Sequence, residues 1–78
     1  MEYYLGQIVI FPYNFAPKNF VKCNGMPMEL QSNQPLFSLL GTKFGGNGIR
    51  EFLLPKIEDP CEGLSYYICI AGPYPTRN

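Results

Sequence analysis

Eight glycines and eight prolines stand among 78 residues, spread along the whole chain. Together they run well above the roughly 12% summed average of ordinary globular sequences. Each proline lacks a backbone donor and each glycine weakens the interior of a helix or strand, so regular elements must be short and separated by turns. Length points the same way: 78 residues support one small domain over residues 1–78 and leave no room for a large self-contained enzyme. Disorder is not expected, because 46% of the residues are apolar and 15% aromatic, while only 15% are charged against a usual value of about 25%.

Six Lys and Arg balance six Asp and Glu. No excess positive field holds a polyanion near the surface, so nucleic acid is not an expected partner. Zero net charge also gives little repulsion between copies, and a domain of this size buries only about 60% of its unfolded surface. Self-association is therefore expected.

The cysteines are Cys23, Cys61 and Cys69, an odd number that leaves at least one unpaired. Small buried or half-buried thiols in a reducing compartment are the first reading, and a Cys61–Cys69 disulfide is the alternative. With no His, no C-x-x-C spacing and a single Asp, no structural zinc site can be assembled within one chain, so neither metal nor cofactor is expected. The opening MEYYLGQIVIF lacks a basic n-region and a long apolar stretch, so synthesis in the cytoplasm without a Sec signal is expected. The longest apolar runs, Ile8 to Pro12 and Tyr66 to Gly72, fall far short of the roughly 20 residues that span a bilayer, and no membrane insertion is expected.

Along the chain, Gln7 to Phe11 is β-branched and aromatic and ends at Pro12, which predicts a first strand. Asn19 to Cys23 reads as a second strand, followed by the Asn24-Gly25 turn signal and by Met26 to Leu30 returning across it as an irregular hairpin. The clearest helix runs from Ser32 to Leu40, with Ser32 as cap, Pro35 in the first turn and Gly41 as stop. Leu36, Phe37, Leu39 and Leu40 give it a broad apolar face that the sheet or another copy must cover. Thr42 to Gly48 is a glycine-rich loop with Asn47 as a candidate for left-handed backbone. Ile49 to Leu54 is an extended arm with Phe52 and Leu54 on one face, and Lys56 to Gly63 is polar and turn-rich. Ser65 to Ala71 is the strongest strand, expected at the centre of a sheet, and Pro73 and Pro75 impose an extended tail through GPYPTRN.

Searched for chemistry, the chain offers no catalytic set. Gly45-Gly46-Asn47-Gly48 lacks the Lys and Ser or Thr that a phosphate loop requires. Cys23 has no His to act as its base, and Glu51, Glu58, Asp59 and Glu62 have no spacing that fixes a carboxylate pair across a cleft. The tyrosines, Tyr3, Tyr4, Tyr13, Tyr66, Tyr67 and Tyr74, suit packing, subunit contact or the faces of a sugar, and Tyr66 and Tyr67 must point to opposite sides of a strand.

Taken together, LGQIVIFPYNFAPKNFVKCNG, QSNQPLFSLLGTKFGGNG and FLLP resemble the phage tail collar domain family over residues 5–55, and YYICIAGPYPTRN resembles its closing strand and tail. The chain is also similar to the bacterial microcystin-dependent proteins. Gly6, Ile8, Phe11, Phe15, Pro17, Cys23, Asn24 and Gly25 match the N-terminal signature. Leu36, Phe37, Leu39, Leu40 and Gly41 match the family's helix, and Phe44, Gly45, Gly46 and Gly48 its glycine loop. Phe20 replaces the usual Trp, Leu54-Pro55-Lys56-Ile57-Glu58 replaces the common Leu-Pro-Asp-Leu-Arg, and the Gly-rich insertion of longer relatives is missing.

The resemblance carries no catalytic residues. It implies a small mixed α/β fold, mostly irregular β with one short helix, a collar-type domain completed by homo-oligomerisation as a homotrimer. The implied role is a non-enzymatic structural module of a phage tail, tail fibre or phage-derived contractile particle, with other tail or particle proteins as partners. A carbohydrate- or host-surface-binding module using exposed tyrosines and the glycine loop is the alternative.

Overall fold

The computed structural model describes Tyr3 to Pro75. Its elements follow in the order β1 (Ile8–Phe11), β2 (Phe20–Lys22), β3 (Pro27–Glu29), a 3-10 turn (Gln31–Asn33), α1 (Gln34–Leu40), β4 (Glu51–Leu53) and β5 (Ser65–Cys69). Strands dominate and none exceeds five residues, as the Gly and Pro punctuation requires. The Cα radius of gyration is 12.5 Å, near the ~11.5 Å of a compact chain of this length. This is a small mixed α/β fold with mostly β structure and one short helix.

β5 is central. It pairs antiparallel with β1 on one side and β2 on the other, in the order β1-β5-β2. Tyr66 and Ile68 face one side of this sheet, Tyr67 and Cys69 the other, so alternation puts a separate apolar cluster on each face. The larger cluster joins Leu5, Cys23, Leu36, Phe52, Leu54 and Ile68, and the smaller joins Phe20, Tyr67 and Cys69. Phe52 and Leu54 lie on one side of the arm containing β4, as their spacing predicts, and both are fully buried.

β2 and β3 do not form the hairpin that Asn24-Gly25 suggests. β3 pairs instead with β4 in a second, two-stranded sheet, with Met28 opposite Phe52. The turn signal is real locally, because Asn24 Oδ1 accepts from the Met26 N–H at 3.1 Å. Long-range partners override its usual consequence: the Cys23 N–H donates to the Tyr66 carbonyl and its own carbonyl accepts from Ile57, both at 3.0 Å. The turn therefore carries the chain from one sheet to the other.

α1 has Pro35 in its first turn and stops at Gly41, whose φ is 57° and whose N–H donates to the Phe37 carbonyl at 2.7 Å. Ser32 does not cap it. Ser32 lies in the preceding 3-10 turn with its hydroxyl on Glu29, while Asn33 at the cap position donates its amide to the Glu29 carbonyl at 2.8 Å. Leu36 is buried in the larger cluster, and Phe37, Leu39 and Leu40 pack half-buried around it, so the chain itself covers most of the helix face.

Among the described residues the non-glycine position in left-handed backbone is Asn19, with φ 71°, and not Asn47. Asn47 instead accepts through Oδ1 from the N–H groups of Ile49, Arg50 and Glu51. All three cysteines are free, so Cys61 and Cys69 do not pair; Cys23 and Cys69 are buried and Cys61 is exposed. The expected extended tail reaches Pro75 without regular structure, and its last part, residues 76–78, lies outside the described residues, as does the start of MEYYLGQIVIF.

Candidate binding surface

β1 ends at Phe11, just before Pro12, yet the alternation of its side chains continues past it. Phe11, Tyr13 and Phe15 stack in succession, with ring centroids 5.3 Å apart at each step and interplanar angles of 15° and 14°. The stack is rooted in the smaller cluster, where Phe11 meets Phe20 edge-on at 5.3 Å and Tyr67 at 5.9 Å. Tyr3 closes the base against Phe20 at 5.2 Å. Each such pair contributes about 0.5–1.5 kcal/mol beyond the area it buries. Exposure rises outward, from 8% at Phe20 to 43% at Tyr13 and 62% at Phe15. The Tyr67 hydroxyl donates to the Tyr13 carbonyl at 2.7 Å and holds the ridge to the sheet.

Tyr13 borders two shallow grooves. One, of about 510 Å³, is lined by Tyr3, Phe11, Tyr13, Pro17, Lys18 and Asn19 among others. The other, of about 600 Å³, is lined by Tyr13, Phe15, Lys22, Asp59 and Tyr67 among others. Lys22 and Asp59 approach to 4.0 Å on the second wall, but both are about half exposed, so the pair adds polarity more than stability. An apolar ridge flanked by donors and acceptors can lie against the flat face of a ring or an extended chain.

The other sequence candidates serve the fold. Of the tyrosines, Tyr3 and Tyr13 belong to the aromatic cluster, Tyr67 is buried beneath it, and Tyr66 packs half-buried on the opposite face against the larger core. Tyr4 is exposed, and Tyr74 is exposed with its hydroxyl 2.7 Å from Ser38 Oγ. The glycine loop lies on β4: the Leu53 N–H donates to the Gly45 carbonyl and the Gly48 N–H to the Glu51 carbonyl, both at 3.1 Å. A Cβ on Gly46 would stand 2.6 Å from the Phe52 Cα, so only glycine admits this approach. No residue of this loop lines either aromatic groove.

Burial pushes the Cys23 thiol up to about 11, the wrong direction for a nucleophile. Glu51 lies in β4, whereas Glu58, Asp59 and Glu62 lie in the exposed connection before β5. Among the described residues no helix is long and apolar enough to cross a membrane, and no three His, Cys, Asp or Glu side chains come together as a metal set. Phe15 is the ligand-contact candidate that a search confined to tyrosine misses; the usable signal is the every-second-residue spacing of Phe11, Tyr13 and Phe15 across Pro12.

Comparison with known proteins gives a family. No curated protein and no solved structure matches the chain. The family description Phage Tail Collar Domain matches residues 6–59, a span that runs from the residue before Gln7 through β1 to the connection beyond β4. It contains the stacked aromatics, the buried Cys23, the helix and the glycine loop on β4, most of the chain's length, and so the chain belongs to the phage tail collar domain family.

Proposed function

We propose that this collar chain is a non-enzymatic structural module of a phage tail, tail fibre or phage-derived contractile particle, acting as a homotrimer in contact with other tail proteins. Family membership supports the tail assignment. The observation that carries the assembly reading is the apolar surface: Tyr4, Ile8, Ile10, Tyr13, Phe15 and Ile49 all stay at least 40% exposed on a chain of zero net charge. Such side chains find cover in contacts between chains. A closed three-fold arrangement would bury equivalent surfaces on each copy without indefinite growth. The module is made in the cytoplasm and incorporated into the particle.

Sedimentation equilibrium tests this reading. The expected mass is three times the 8.9 kDa of one chain at micromolar concentration. A monomer throughout that range overturns it.

The aromatic ridge favours a second reading, a carbohydrate- or host-surface-binding module. Tyr13 and Phe15 offer stacked faces beside the polar atoms of Lys22, Asn14 and Asp59. The glycine loop, engaged with β4, is not needed for it. Glycan-array binding that disappears in Tyr13→Ala and Phe15→Ala chains of unchanged mass supports this reading. Absence of glycan and cell-surface binding by the unaltered chain removes it.

A further inference from the structure

Two short sheets present four outer strand edges, and the chain treats one of them differently. The ladders show which backbone groups face outward. The Cys69 N–H donates to the Gln7 carbonyl in the β1–β5 register, so by alternation Val9 and Phe11 turn their polar groups toward β5. Ile8 and Ile10 therefore aim their N–H and C=O groups at the open edge of β1. By the same rule Phe20 and Lys22 face outward on β2, Pro27 and Glu29 on β3, and Glu51 and Leu53 on β4.

The other three edges are each capped in part by the chain. On β2, the Phe20 N–H donates to Pro17 and the Lys22 carbonyl accepts from Asn24. On β3, Pro27 has no N–H and the Glu29 carbonyl accepts from the Asn33 amide. On β4, the Leu53 N–H, the Glu51 carbonyl and the Glu51 N–H are met by Gly45, Gly48 and Asn47 of the glycine loop. On β1, no described residue meets the outward groups of Ile8 or Ile10. Their side chains are also exposed, at 40% and 43%, and from Gln7 to Phe11 the strand carries no charge. Exposed edges are normally blunted by charge, proline or a bulge, and between Ile8 and Phe11 this one has neither charge nor proline.

We propose that the β1 edge is a contact between two copies of this chain, joined antiparallel as β1 against β1 about a two-fold axis at Val9. Because each remaining edge is partly capped and carries a charge, at Lys22, Glu29 or Glu51, whereas every outward group of Ile8 and Ile10 is open, β1 is the strand edge most available to a second copy. Self-pairing about Val9 sets Ile8 opposite the partner's Ile10 twice, which supplies four backbone hydrogen bonds. It juxtaposes no like charges, and the two three-stranded sheets merge into one of six strands. The contact goes beyond the three-fold reading: alone it gives a dimer, and combined with that reading it gives a hexamer of two trimers.

The test substitutes Ile10→Pro. The lost N–H points outward and makes no bond to β5, so far-UV circular dichroism and the urea midpoint stay close to those of the parent chain. Two of the four intermolecular bonds disappear, and self-association weakens on the order of tenfold or more. A dimer or hexamer that falls to monomer or trimer supports the proposal. A second chain, Val9→Cys in a Cys61→Ser background, places the new thiols in a non-hydrogen-bonded cross-strand pair at about 4.5 Å between Cα atoms, within disulfide reach. Oxidation should give a species of twice 8.9 kDa on a non-reducing gel.

A trimer unchanged by Ile10→Pro overturns the two-fold contact and leaves the three-fold reading standing, whereas a dimer does the reverse. A chain that stays monomeric overturns both. If its Ile8 and Ile10 amides are nonetheless protected from hydrogen exchange, its own chain covers the edge, and the proposal fails on that result as well.

Discussion

Replacing Gly46 by Ala is the sharpest test of whether the glycine loop belongs to the scaffold. Its φ is 99°, a backbone region that costs a residue with a Cβ about 1–2 kcal/mol. The added methyl would lie 2.6 Å from the Phe52 Cα and 2.9 Å from the Glu51 carbonyl oxygen. These are backbone atoms of β4, so no side-chain rotation relieves the overlap and the loop must lift away. Lifting it breaks the hydrogen bonds from Leu53 to Gly45 and from Gly48 to Glu51, each worth about 1 kcal/mol. The expected total is about 3–4 kcal/mol, a large part of the roughly 4–12 kcal/mol available to a chain of this size. Gly63→Ala isolates the backbone component, because Gly63 has φ 90° but open space where its Cβ would be. Urea denaturation followed by circular dichroism should show Gly63→Ala losing about 1–2 kcal/mol and Gly46→Ala about twice that. In thermal melts the Gly46 change should lower Tm by about 12 °C or more. Equal losses for the two variants would refute the close-approach argument and reopen the loop as a ligand site.

Three other outcomes are expected. Folded Cys23 titrates at about 11 against 9.0 for an unperturbed thiol, so the folded state holds its proton longer and stability falls as pH rises through that window. At pH 10 the loss is on the order of 1 kcal/mol, read as the change in urea stability from pH 8 that Cys23→Ala abolishes. With a thiol-reactive chromophore at pH 8, exposed Cys61 should react at once and buried Cys23 and Cys69 only on unfolding; three fast thiols would contradict the burial. Tyr67→Phe removes the bond to the Tyr13 carbonyl and should cost about 1 kcal/mol in urea denaturation, with a loss of near-ultraviolet aromatic signal as the ridge loosens.

What sequence could reveal divides along the range of the interactions. QIVIF before Pro12 and SYYIC after a polar stretch are local signals, and both form strands, with β5 central as its apolar density implies. The period-two placement of Phe52 and Leu54 likewise holds, because one face of that arm is buried. The missing β2–β3 hairpin is different: Asn24-Gly25 makes its turn, but the partners of Cys23 lie at Tyr66 and Ile57, too distant for any local pattern to register. Ser32 fails as a cap because Glu29 competes for its hydroxyl and a 3-10 turn moves the helix start past it. The surface is harder still. Tyrosine content alone does not disclose the ridge, which depends on Phe11 and Phe15 stacking on Tyr13, a geometry that also needs the Tyr67 hydroxyl from across the chain.

The central position of β5 governs how this chain can be synthesised. β1 and β2 emerge early but never pair with each other; both wait for Ser65–Cys69. Until that strand leaves the ribosome, QIVIF and Phe20–Lys22 remain unpaired apolar segments, and no part of the three-stranded sheet can form ahead of the rest. Closure then brings the two ends of the described chain together, with the Leu5 N–H on the Pro73 carbonyl at 2.9 Å. Completion of the three-stranded sheet is consequently a late event that closes long loops, whereas β3 and β4 can pair before β5 is made. A nascent chain stalled before Ser65 is an aggregation hazard, while a circular permutant that begins at β5 should present its organising strand first.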